Sequence, residues 1–317
     1  MTSTIERPPA ARAAGGPARP RRPKRDRTSK TENVAGLAML APAVLLLALF
    51  IFVPAILAFG LAFTNARLIS PYPAVFVGLD NFVRLFADAA FFRALINVGY
   101  FAVVVVPLQA GLALVMAILV NKKVRGTTFF RTVYFLPVVT SMVVVSLLWL
   151  FMYRQDGLIN VIIERVTLGL VTGPDWLNDT STSMPAIILM SVWQGVGFHM
   201  IIWLSGLQTI PADLYEAADL DGVSPWQRFR YITWPGLSAT RSLILVTITI
   251  QALSLFTQIS VMTQGGPLNS TTTVVYEAVE SGFAQQETGY ASAISLVFFV
   301  IVLLISVVQR FLSREKA

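Results

Sequence analysis

Residues 208–239 read QTIPADLYEAADLDGVSPWQRFRYITWPGLSA and stand between two long apolar runs, 184–207 and 240–262. The stretch is more elaborate than a connector needs, since a few polar residues suffice to join two helices. Pro211 suits the first position of a helix, and Asp213 suits its positively polarised first turn. Gly222 ends that helix, because glycine takes positive φ without a Cβ clash. A second helix begins at once: Ser224 is its N-cap, Pro225 takes N1, and Gln227 at N3 completes a capping box. Pro235 is expected to stop it. Two short helices in tandem, with Ala217, Ala218 and Leu220 on the first, make a compact knob. Small side chains there would let another protein approach closely. The competing reading is an amphipathic helix lying on lipid.

Outward from this loop the chain is apolar. Six segments are long enough to cross a bilayer, approximately 36–63, 93–120, 129–152, 184–207, 240–262 and 289–309. A span takes about 20 helical residues. Pro42, Pro54, Pro107 and Pro137 fall inside these spans. Membrane helices tolerate proline where neighbouring groups satisfy the freed backbone. Composition agrees with the count. The chain is 55% hydrophobic and 13% charged, with a mean hydropathy of +0.69, whereas a soluble domain is about 25% charged. So much apolar surface exceeds what one core can bury, and lipid becomes the solvent for the remainder. The expected fold is all-α: a polytopic membrane protein with six transmembrane helices.

Basic residues set the orientation. With the N-terminus inside, one side holds the basic tail, Lys122, Lys123, Arg125, Arg131, Arg228, Arg230, Arg241, Arg310, Arg314 and Lys316. The other side holds only Arg67, Arg84, Arg93, Arg154 and Arg165. The asymmetry places both termini in the cytoplasm and the 208–239 loop beside them. Residues 1–35 are expected to be a disordered basic tail, being rich in Pro, Arg, Ala and Gly. Residues 36–317 form a single membrane domain. The apolar run Val34–Phe63 is too long for a signal-peptide core and reads as an uncleaved first span. In the outer loops, Gly78–Phe82 reads as a turn into a short surface helix. Val274–Phe283 reads as a short helix or a re-entrant segment.

Several function classes drop out. The net charge of +7 is concentrated in the tail, which fits a membrane-flanking segment better than a nucleic-acid surface. There are 0 cysteines and 1 histidine, so neither a thiolate site nor a His cluster for a metal is available. No G-x-x-x-x-G-K-[ST] loop occurs, so the chain has no phosphate cradle of that kind. No clustered nucleophile and base point to an enzyme. Asp and Glu are absent from all six segments, which argues against an ion-coupled secondary transporter.

Polar groups at bilayer depth are costly, and so mark a pathway. Spans four and five contain Trp193, Gln194, His199, Gln251, Ser254 and Gln258. The last three recur at helical spacing and are expected on one face of a continuous helix. Trp203 and Phe256 are nearby aromatics. Aromatic walls with neutral amides suit a polyhydroxyl ligand. The plainer reading is that each polar group merely bonds to a neighbouring helix. No Lys or Arg lies deep in spans two to six, which tilts the ligand toward a neutral molecule rather than an anion.

The loop also carries a resemblance. Glu216-Ala217-Ala218, three residues, Gly222, nine residues, Ile232, one residue, then Trp234-Pro235 resembles the EAA motif (E-A-A-x3-G-x9-I-x-L-P) of permeases in binding-protein-dependent ABC importers. Trp234 stands where that pattern has Leu, and keeps a large apolar side chain. From about residue 36 onward the chain is similar to maltose-transporter-type sugar permeases, through GLDNF, FFRTVYFLP, GLQTIPADLYEAA and TQGGPLNSTTT. The resemblance implies a type I ABC importer permease fold in a bacterial inner membrane. It implies that Glu216, Ala217, Ala218, Gly222, Ile232 and Pro235 belong to a coupling element seated in a separate ATPase. That dimer would bind ATP and Mg, with no cofactor in this chain. A second, homologous permease subunit and an extracytoplasmic solute-binding protein would complete the complex. The implied cargo is a carbohydrate, with glycerol phosphate or a related polyol as the alternative.

Overall fold

The computed structural model describes residues 30–121 and 126–314. The basic tail at 1–29, Lys122, Lys123, Arg125 and Lys316 lie outside the described residues. The chain divides into two units, one ending at Ala55 and one beginning at Ile56. Among the described residues five helices are long and apolar enough to cross a membrane, or six when one bent pair is counted as a single span.

The first unit is helical from Lys30, earlier than the boundary at residue 36 set by the apolar run. Helix α1 (Lys30–Leu47) passes into a π-turn, Ala48–Phe52, and then α2 (Val53–Leu61). The cause of the π-turn is Pro54, which has no N–H and whose ring collides with the carbonyl four residues back. Widening the turn lets the Val53 N–H donate to the Ala48 carbonyl and carries the helix through.

In the second unit, Gly78 turns the chain at φ +61° into α3 (Asp80–Ala87), as GLDNF predicts. Helix α4 (Ala89–Asn121) is span two. Span three is not one rod. It is α5 (Thr127–Val139) and α6 (Met142–Met152), bent by 97° between them. Pro137 removes a backbone donor in the last turn of α5, and the Thr140 hydroxyl donates to the Leu136 carbonyl at 3.3 Å. Thr140 and Ser141 then run extended, which ends the helix where hydropathy alone shows a continuous segment.

A short helix α7 (Leu158–Val166) precedes α8 (Ser183–Gln208), which is span four. The 208–239 loop holds α9 (Ala212–Leu220), α10 (Pro225–Arg228), a π-turn Phe229–Thr233, and α11 (Trp234–Gly236). Span five is α12 (Ser238–Leu253) and α13 (Thr257–Met262). Then come α14 (Val274–Val279), a third π-turn at Glu280–Ala284, and α15 (Thr288–Arg314), which contains span six. The Val274–Phe283 segment is thus helical with a π-turn at its end.

The core lies where α4, α8 and α12 meet. Ala110, Ala113 and Ala117 on α4 pack with Met200, Trp203 and Leu204 on α8 and Ile244 and Ile248 on α12. The Trp203 indole N–H donates to the Ala110 carbonyl at 3.1 Å, so this large ring is spent on packing. Glycines let α8 approach its neighbours: a Cβ on Gly197 would overlap the Tyr134 carbonyl of α5. Close approach at small residues is how membrane helices gain packing energy when lipid offers no hydrophobic drive.

Candidate functional site

Two features stand out: the knob between spans four and five, and a polar cavity within the helices. The knob is built by local capping. Asp221, Gly222 and Val223 close α9 by donating to Ala217, Asp219 and Ala218 carbonyls at 3.0, 3.3 and 3.0 Å. Gly222 sits at φ +67°, the left-handed turn that such a cap requires. Pro211 is the N-cap rather than the first helical residue. The Ser224 capping box is complete: the Gln227 N–H donates to Ser224 Oγ at 3.4 Å, and the Ser224 N–H donates to Gln227 Oε1 at 3.0 Å. An Arg228–Asp219 ion pair ties the two helices together. Tyr215 and Thr233 hydroxyls bond at 3.1 Å, joining α9 to the π-turn.

Pro235 does not stop the second helix. The π-turn just before it lets the Trp234 N–H donate to the Phe229 carbonyl, and the helix runs on to Gly236. The widened turn before Pro54 has the same form. The outcome is a continuous link from the knob into span five. On the knob Glu216, Ala217 and Gly222 are exposed, Ala218 is buried, Ile232 is half-buried and Pro235 is exposed. Leu220 at 90% and Trp226 at 69% exposure leave a bare apolar surface on the two short helices. Trp234 is half-buried, with the Arg241 guanidinium 4.6 Å from its ring centroid.

The cavity has a volume of about 470 Å³ and lies among spans two to five. Gln194, His199, Gln251, Ser254 and Gln258 all line it. The three span-five residues converge although their helix is broken: α12 ends at Leu253, α13 starts at Thr257, and Ser254 lies in the gap. Trp193 does not line it. That ring is half-exposed and packs on Trp149 at 5.5 Å between centroids. Trp203 and Phe256 are also elsewhere, the first in the core and the second against Tyr276. Phe101 and Phe198 supply the aromatic surface instead.

Sequence reasoning missed Gln109 and Ser191, both buried and both in the lining. Gln109 is a lone amide in span two, so the cost of polar groups at depth was available as a signal. Gln109 Nε2 lies 3.0 Å from His199 Nδ1, and the Gly195 carbonyl lies 2.9 Å from the same nitrogen. That nitrogen donates to the carbonyl when protonated and accepts from the amide when not. A Cβ on Gly195 would overlap the Gln109 amide, so glycine is what admits the pair. Among the described residues His199 Nε2 and Ser191 Oγ are buried without a hydrogen-bond partner. Apart from His199, the lining has no ionisable group among the described residues. It can therefore exchange neutral hydrogen bonds and offers no fixed charge.

Comparison with known proteins now places the chain. Residues 109–317 match the family model described as "Binding-protein-dependent transport system inner membrane component". The chain is 37% identical over 273 residues to the probable ABC transporter permease protein YurN of Bacillus subtilis, covering 85% of this chain and 92% of that one. It is 34% identical over 286 residues to the lactose transport system permease protein LacF of Rhizobium radiobacter, covering 89% and 94%. It is 30% identical over 289 residues to the diacetylchitobiose uptake system permease protein NgcF of Streptomyces coelicolor, covering 88% and 82%. In fold it is similar to a chain of the bacterial alginate ABC transporter solved with an alginate pentasaccharide-bound periplasmic protein, at 23% identity and TM-score 0.78, covering 90% and 96%. The chain belongs to the family of inner membrane components of binding-protein-dependent transport systems.

Proposed function

We propose that this chain is the permease subunit of an ATP-driven importer that carries a neutral carbohydrate. The observation that carries the reading is the cavity: amides and hydroxyls from spans two, four and five converge at bilayer depth, with two buried polar atoms left unpartnered among the described residues and no fixed charge. A polyhydroxyl ligand supplies both donors and acceptors to such groups, whereas a phosphate ester would find no cation there. Relatives named for lactose and diacetylchitobiose support the same class.

The partners follow from the knob. An ATPase dimer, binding ATP and Mg, receives Glu216, Ala217 and Ala218, while Gly222, Ile232 and Pro235 shape the element that enters it. Closure of that dimer draws the knob toward its counterpart on a second, homologous permease. The rigid link through the π-turn passes the movement into span five, which bears Gln251, Ser254 and Gln258. An extracytoplasmic binding protein delivers the sugar to the opposite face. Both termini and the knob are cytoplasmic in this scheme.

The test is calorimetric titration of the cognate binding protein with neutral mono- and oligosaccharides and with glycerol 3-phosphate. It is paired with uptake by cells in which Gln251→Leu or Gln258→Leu replaces the native permease. The expected result is that a neutral sugar binds, and that its uptake falls in both variants with the protein still in the membrane. Binding of the phosphate alone would sink the carbohydrate reading.

A further inference from the structure

A second groove, of about 660 Å³, opens beside the knob and is lined from the Phe229–Thr233 π-turn, α11, α12, α4 and α15. Its chemistry changes along its length. Helix α12 contributes Ser238, Arg241, Ser242, Leu245 and Val246, an i, i+3, i+4, i+7, i+8 series that occupies one helix face. The first three are polar and stand where span five meets the knob. The last two are apolar and lie deeper in the span, and Val106 of α4 also lines the groove. Arg230 adds a second guanidinium at the polar end.

The positive charge is not compensated. Among the described residues no acidic side chain lines the groove, and neither Arg230 nor Arg241 pairs with a carboxylate. The stacking of Arg241 on Trp234 orients its guanidinium without neutralising it. Gln309, near the end of span six, donates from Nε2 to the Thr249 hydroxyl at 2.8 Å.

We propose that this groove holds an anionic phospholipid of the leaflet on the knob side. The phosphate sits between Arg230 and Arg241, and an acyl chain follows Leu245, Val246 and Val106. Basic pockets between helices at a membrane face hold such headgroups. A free phosphate would use only the polar end and leave the apolar end without a ligand. The gradient from arginine to aliphatic side chains along one helix face therefore favours a molecule with the same gradient.

The test uses the assembled transporter purified in detergent. Fluorescent phosphatidylglycerol and phosphatidylcholine with identical acyl chains are titrated separately, with and without excess inorganic phosphate. Phosphatidylglycerol should bind more tightly than phosphatidylcholine and should resist displacement by phosphate. Replacing both arginines, Arg230→Gln with Arg241→Gln, should weaken phosphatidylglycerol by about 30-fold and phosphatidylcholine, whose choline offsets the phosphate charge, by much less. Because Arg241 also packs on Trp234, the exposed Arg230→Gln alone guards against misfolding and should cost about 5-fold. Lysine at both positions should retain the preference. Equal binding of the two lipids, or an unchanged double variant, would overturn the proposal. Full displacement by inorganic phosphate would make this a free-anion site and also overturn it. So would absence of lipid binding to the assembled complex, which would mean that a partner subunit fills the groove.

Discussion

At Gly222 a Cβ would meet nothing within 4 Å, yet the backbone stands at φ +67°. The constraint there is conformational, and a β-branched residue in that region costs about 1–2 kcal/mol. Gly222→Val should abolish uptake while the protein still reaches the membrane, and Gly222→Asn should restore much of it, since Asn tolerates the left-handed turn. Cell uptake assays with immunoblots of membrane fractions would decide; normal uptake by the Val variant would remove the coupling role. Glu277, on α14 outside the spans, is a second informative residue. Burial, then Glu280 and Asp88, push its carboxyl above the ordinary carboxylate range. The folded chain thus holds this proton more tightly than the unfolded chain. Stability falls as pH rises from the ordinary carboxylate range through the raised value, and is level above it. Glu277→Gln should remove that fall, which thermal unfolding in detergent across acidic pH would show. Gly222 was legible from sequence because a cap is local. The burial of Glu277 was not, because it depends on what α14 packs against.

Among the elements, the breaks matter more than the rods. Span five stays open at Ser254–Phe256 because the loop after it holds the gap: the Thr273 hydroxyl donates to the Leu255 carbonyl at 2.7 Å, with both residues buried. Thr273→Val keeps the shape and removes both the donor to Leu255, leaving a buried carbonyl unpaired at a cost of about 1–3 kcal/mol, and the hydroxyl that caps α14 by accepting from the Tyr276 N–H at 3.4 Å. The thermal midpoint of the detergent-solubilised protein should drop, whereas Thr273→Ser should stay near wild type. An unchanged midpoint for the Val variant would mean that the gap persists without the Thr273 hydroxyl. The two π-turns before Pro54 and Pro235 show why proline misled the reading of the knob. A proline stops a regular helix, but one widened turn ahead of it supplies the missing geometry. Nothing in FRYIT itself marks that turn.

For the whole molecule, the charge asymmetry predicts both termini and the knob on the cytoplasmic side. Alkaline phosphatase fused in the 64–92 or 153–183 loop should be active, and the same reporter at the knob or the C-terminus should be silent. The reverse pattern would invert the topology and, with it, the proposed ATPase partner. By itself the sequence determined six apolar spans, the capped helices between spans four and five, and the polar residues that membrane depth makes conspicuous. Each rests on local composition or on spacing within one helix. The tertiary structure alone decided that Gln109 and Ser191 join the cavity while Trp193 and Trp203 do not, because neighbours along one helix point in different directions and only packing selects among them. It also decided the bend in span three and the groove that joins Arg230 to Arg241, since both depend on how separate segments meet.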